Sequence, residues 1–166
     1  MNIPICQSDL RSGILCLRHP KELDSGVFSL LDLEMMKTLL DLENRIPNLK
    51  DVTYVKSAQT TGLAALLLSG QNLPSNMWGR IGSELRKKLN VNLRVIEKAP
   101  SLKRLVEQII APVRVVGVNT IWIPDGSRES SVIIDRGDVN RLPSSPENIE
   151  KIVYELSHEV IRIRPR

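Results

Sequence analysis

Apolar residues along the chain follow two alternating rhythms. In "LLDLEMMKTLLDLENRI", residues 30 to 46, they fall three and four positions apart, with Leu33, Met36 and Leu40 in one row and Leu31, Met35 and Leu39 in the next. That spacing predicts a helix. Ser29 stands where an N-cap is wanted, and Pro47 lies beyond the end. "VTYVKSA" and "GLAALLLSG" follow as two predicted strands, although the Leu/Ala run also fits a helix. Gly79 then leads into "RIGSELRKKL", where Ile81, Leu85 and Leu89 share a face and Arg86, Lys87 and Lys88 point away from it. "NLRVIEK" reads as a strand.

The same order returns. Ser101 can cap "LKRLVEQII", a helix with Leu102, Leu105, Val106 and Ile109 inward, and Pro112 follows it. "VRVVGVNTIWI" and "SVIID" are β-branched strands joined by "PDGSRES", which carries an Asp-Gly turn signal at Asp125. Ser144 and Glu147 have capping-box spacing, with Pro146 near the first helical position. "ENIEKIVYELS" predicts a helix burying Ile149, Ile152, Val153 and Leu156, and "EVIRIRP" a closing strand. Both halves thus read helix, strand, strand, turn, helix, strand, which predicts an α+β fold of two αββαβ units, residues 29–99 and 100–166, behind a segment of residues 1–28.

Composition narrows the picture. At 166 residues, 42% hydrophobic and 25% charged, the chain fits one soluble domain or two small ones. No apolar run reaches the roughly 20 residues a membrane helix needs. "MNIPICQSDL" lacks a basic segment followed by an apolar core, so it is not a secretory signal, and a cytoplasmic protein is expected. Lys and Arg outnumber Asp and Glu by 23 to 19. The excess is local: Arg80, Arg86, Lys87, Lys88, Arg94, Lys98, Lys103 and Arg104 face only Glu84 and Glu97, and the tail "RIRPR" is basic as well. Such runs suit anionic partners and equally a solvated surface. Aromatics make up only 3% of the chain, with Trp78 and Trp122 isolated, so any RNA contact should rest on phosphate and shape more than on base stacking.

The repeated order, and above all "ELRKKLNVNLRVIEKAPSLKRLVEQIIAPVRVVGV", resembles the bacterial-type (type II) KH domain used in tandem, as in archaeal NusA-like KH proteins. The resemblance spans about residues 30 to 164 and is weaker in the second half. It implies two tandem KH units and a non-enzymatic RNA-binding protein that acts on ribosomal or nascent RNA, with the ribosome or RNA polymerase as partner. KH domains grip the RNA backbone with a GxxG loop, where glycine leaves room for phosphates. That loop is expected here at "NMWG": Gly79 keeps the last glycine and Asn76 stands at the first. "GRIG", residues 79 to 82, fits the same letters in another register, and the second unit holds "LPSS". The implied RNA-binding residues are Asn76, Gly79, Arg80, Arg86, Lys87, Lys88 and Arg94, with Arg162 and Arg164 of the tail. The altered loops leave a second reading open, a protein-interaction module on the ribosome or polymerase whose KH shell has lost its RNA grip. Trp78 reads more readily as packing than as a stacking platform.

The N-terminal segment carries separate chemistry. Cys6 and Asp9 form C-x-x-D, and Cys16 and His19 form C-x-x-H. Two such knuckles are how zinc ribbons direct four ligands at one point, which predicts a small zinc-ribbon-like segment with a structural zinc. Related archaeal proteins resemble a C-x-x-C…C-x-x-C version of it. A knuckle that has lost its metal and a Cys6–Cys16 disulfide are the rival readings. Nothing suggests catalysis. His158 suits a helix end, Asp135 and Asp138 a strand end and turn, and neither a P-loop nor a nucleophile with its base is present.

Overall fold

In the computed structural model, residues 1–16, 18–70, 73–124 and 126–166 are described. Among the described residues six α-helices and six strands follow in order: α1 (Gln7–Ser12), α2 (His19–Asp24), α3 (Leu30–Glu43), β1 (Val52–Thr60), β2 (Leu63–Gly70), α4 (Ser75–Leu89), β3 (Leu93–Glu97), α5 (Leu102–Ile110), β4 (Val115–Trp122), β5 (Arg128–Ile134), α6 (Pro146–Ser157) and β6 (Val160–Pro165). The protein is α+β, and from α3 onward the order helix, strand, strand, helix, strand occurs twice. The strands form two three-stranded sheets, ordered β1-β2-β3 and β4-β5-β6. In each, the first pair is antiparallel and the second parallel.

Local chemistry explains where helices begin. Ser29 accepts from the Asp32 N–H while the Asp32 carboxylate accepts from the Ser29 N–H, a reciprocal cap. Ser101 caps α5 by accepting from the Arg104 N–H. At α6 the expected cap shifts by one residue. Ser145, not Ser144, accepts from the Asn148 N–H, because Pro146 already occupies the first turn. The predicted Asp-Gly turn includes Asp125, which lies outside the described residues.

Two corrections concern helix content. Residues 76–79, expected as a loop, are the opening turns of a continuous helix α4. Ile81 and Leu85, both fully buried, and the partly buried Met77 and Trp78 anchor that helix, so the weak propensity of Gly79 does not break it. The segment of residues 1–28, expected as ribbon-like turns, instead holds α1 and α2. Pro20 sits in the first turn of α2, and Gly13 ends α1 at φ 75°.

The apolar core crosses the boundary between the repeats. One face of the first sheet (Val52, Tyr54, Ala64, Leu66, Leu68, Leu93) packs with α3 and α4. Its other face (Ala58, Leu63, Ala65, Leu67, Ile96) packs with buried residues of α5 and α6, such as Val106, Ile109, Ile149 and Val153. The same helices cover Val132, Ile134, Ile161 and Ile163 of the second sheet. Asn148 of α6 also donates to the carbonyl of Thr61, in the β1–β2 turn, at 3.0 Å. No helix among the described residues is long and apolar enough to cross a membrane.

Candidate metal centre and nucleic-acid interface

The four N-terminal residues chosen by spacing converge. Cys6 is the residue before α1, Asp9 lies in its first turn, and Asp9 and Leu10 both donate from their N–H groups to the Cys6 carbonyl, at 3.1 and 3.3 Å. The chain then turns back at Gly13, and His19 opens α2. The ligand atoms of Cys6, Asp9, Cys16 and His19 all lie within 4.8 Å of one another. His19 Nδ1 is 2.6 Å from Asp9 Oδ2 and 3.2 Å from Cys16 Sγ. Tetrahedral zinc would set its N, O and S ligands about 3.3–3.8 Å apart, so small movements would accommodate it.

The electrostatics also suit a cation. Asp9 accepts from the Cys16 N–H at 2.9 Å. That backbone bond, followed by the bond to His19, holds the Asp9 pKa down at about 2. Its carboxylate is therefore ionised at neutral pH. Burial, then the Asp9 charge, raise the Cys6 pKa. Asp9 and His19 are buried while both thiols are exposed and free, so the cluster opens to solvent on its sulfur side. Glu22 Oε2 lies 4.0 Å from His19 Nε2, near enough to act on the imidazole by charge though not by a hydrogen bond, while Glu22 Oε1 accepts from Arg18 Nε at 2.8 Å. The donor set fits a structural zinc and would supply no catalytic position of its own.

The basic residues of α4 are less alike than their sequence suggests. Lys88 Nζ is 3.2 Å from Asp41, and Lys87 Nζ is 3.6 Å from Glu84. Arg86 folds back over Gly82, whose missing Cβ would lie 3.6 Å from its Nη1, and donates to the Leu93 carbonyl at 3.0 Å. Arg94, on β3, has a buried Nε with no hydrogen-bond partner. Burial, and then the charge of Arg86, lower the Arg94 pKa from its ordinary value. Two guanidinium groups, on α4 and β3, are thus near enough for their charges to repel, and one of them lacks a partner for a buried donor. Among the described residues Arg80 and Arg94 form no ion pair.

The remaining candidates separate clearly. Asn76 and Gly79 are exposed on the first turns of α4, and nothing lies within 4 Å of a Cβ placed at Gly79. Trp78 packs beside Gly70 and lines a cleft of about 680 Å³ with Lys98, Pro100 and Arg104. Arg162 is held by Glu150 at 2.8 Å, with Glu129 at 3.8 Å, whereas Arg164 is exposed. His158 ends α6 in the left-handed region at φ 58°, and its N–H donates to the Tyr154 carbonyl. The pairing of Arg86 with Arg94 was not distinguished from the general basic run in sequence. Gly82, four residues before Arg86 and on its side of the helix, was the available signal.

Comparison with known proteins adds the fold alone. No protein-family model matches the sequence, and no curated protein matches it. Among solved structures, that of APE1850 is similar over 80% of this chain and 99% of its own, with a TM-score of 0.53 and 17% identity.

Proposed function

We propose that the protein is a non-enzymatic RNA-binding protein built of two tandem KH-type units, NusA-like in its role on ribosomal or nascent RNA, with a structural zinc at Cys6, Asp9, Cys16 and His19. The observation that carries the RNA reading is the Arg86–Arg94 pair on the α4–β3 seam. Two neighbouring cations that repel one another, one of them exposed and the other half-buried without an ion pair, favour an anion beside them, and a phosphate supplies both charge and acceptors. Arg80 extends the positive strip along the exposed side of α4. Without stacking aromatics there, affinity rests on phosphate neutralisation and falls steeply with salt.

A second reading is supported by the helical residues 76–79 and by the neutralised Lys87 and Lys88: a protein-interaction module on the ribosome or polymerase. A titration of labelled single-stranded RNA at several salt concentrations separates the two. The RNA reading expects Arg86→Ala with Arg94→Ala to weaken binding to every sequence and to reduce the salt slope by about 2, one per lost contact. Lys87→Ala with Lys88→Ala should do less. Unchanged affinity of the arginine double variant at every salt concentration would reject the seam as an RNA site.

A further inference from the structure

The four sheet edges are treated differently. At β1, Asn2 donates from its N–H to the Val52 carbonyl and accepts at its own carbonyl from the Tyr54 N–H, both at 2.9 Å. At β3, the Gln108 side chain accepts from the Glu97 N–H at 2.8 Å and donates to the Glu97 carbonyl at 2.9 Å, while Arg86 covers Leu93. At β6, Glu150 accepts from the Ile163 N–H at 2.9 Å, and Pro165, next on the same side of the strand, has no N–H to offer. Each of these edges is closed against a further strand.

β4 has no comparable cover among the described residues. It also lacks the charges that usually guard an edge: "VVGVNTIWIP", residues 115 to 124, contains none. Val116, Ile121 and Trp122 stand 54%, 58% and 71% exposed, and Ile123 adds to the patch. Summed over both faces of the strand, these side chains leave on the order of 400 Å² of apolar surface bare along the edge.

We propose that β4 is a self-association edge, where two copies of the chain pair their β4 strands antiparallel about a two-fold axis and join two three-stranded sheets into one of six strands. The strand's own pattern selects a second copy as the occupant, and charge permits it. The chain carries a net charge of +4, so two copies repel across most of their surfaces, but the uncharged strip meets its own reversed copy with no like charges opposed. The strand is also apolar at both ends and small or polar between. Reversal therefore brings the Ile121–Trp122 end of one copy against the Val115–Val116 end of the other, the self-complementarity that a two-fold interface requires. That area doubled by symmetry remains at the low end of specific interfaces, so the dimer should be weak.

Sedimentation equilibrium of the full chain from about 1 to 500 µM, a range chosen to bracket a weak dimer, tests this. The expected result is a concentration-dependent rise from 18.7 kDa towards twice that mass. Ile121→Lys, which would set a charge against the apolar Val115–Val116 end of the other copy, should stay monomeric throughout, with unchanged circular dichroism. Should Ile121→Lys unfold, Val116→Lys serves the same purpose, and amide exchange of the parent gives an independent reading: amides of residues 117–121 should slow as the protein is concentrated. A parent that stays monomeric at the highest concentration overturns the proposal. So does a folded lysine variant that dimerises like the parent, or an exchange rate at β4 that ignores concentration.

Discussion

Asp32 on α3 accepts a 2.6 Å hydrogen bond from the hydroxyl of Ser57, 25 residues later on β1, and a 2.9 Å bond from the Ser57 N–H. Tyr54 donates to the same oxygen, and Ser29 donates to the other from both its N–H and its hydroxyl. The carboxylate is buried yet surrounded by donors, and it ties the start of α3 to the sheet.

Asp32→Ala leaves those donors facing an apolar gap. The expected loss is about 3 kcal/mol, which corresponds to roughly 6–12 °C in melting temperature for a chain of this size. Thermal melts of parent and variant measure it.

The same group predicts a pH effect. Burial alone would raise the Asp32 pKa, but the bonds from Ser57, Tyr54 and Ser29 outweigh it and hold the pKa below the ordinary carboxylate value. A lowered folded-state pKa contributes stability above the unfolded value, about 3.9, and that contribution is lost as pH falls through the folded value. The stability gap between parent and Asp32→Asn should therefore be full at pH 6 and narrow below about pH 4. Melts across that range check it, and a gap that widened in acid would contradict the network.

Protein purified without chelator should carry about one zinc per chain, because four ligands converge. EDTA should lower its melting temperature, and added zinc should restore it. Cys16→Ser should abolish stoichiometric metal. Glu22→Gln, which removes the negative charge beside His19 and the ion pair with Arg18, should weaken affinity on the order of tenfold. Metal analysis and competition with a chromophoric chelator read these outcomes, and a melting temperature indifferent to both EDTA and zinc would remove the metal.

Gly79 sits on the exposed side of a helix with open space where a Cβ would be. Gly79→Ala should therefore stabilise the protein by about 0.5–1 kcal/mol, or roughly 1–4 °C. If RNA backbone approaches α4 closely at this point, the same variant will bind RNA less well, so one substitution separates fold from function.

Leu67 lies on the face of the first sheet that α5 and α6 cover. Leu67→Ala should lower stability by about 2–5 kcal/mol and shift one shared calorimetric transition, not one of two. Residues 1–99 expressed alone should fail to give a soluble folded monomer.

The element order was legible because apolar spacing is local: Ile81 and Leu85 turned inward, and the Ser29 and Ser101 caps formed as their spacing implied. The four-residue N-terminal cluster was legible for the same reason, since two short turns settle it. α1 and α2 were not, because helices of six residues show too little periodicity. Residues 76–79 misled because a glycine counts as a local breaker, while the burial that overrides it comes from residues distant in sequence. The shared core was missed although its mark was present. Positions 63–68 are apolar throughout, as befits a strand buried on both faces, whereas a half-exposed strand would alternate.

That shared core changes how the repeats can diverge. Where each unit has its own interior, one can be exchanged, duplicated or deleted while its neighbour is unaffected. Here Ala58, Leu67 and Ile96 are shaped to fit α5 and α6, so a unit transplanted from a relative would arrive without its matching surface. The two halves are therefore expected to be inherited, and should be engineered, as a matched pair, with substitutions at positions 58, 67 and 96 compensated at 109, 149 and 153.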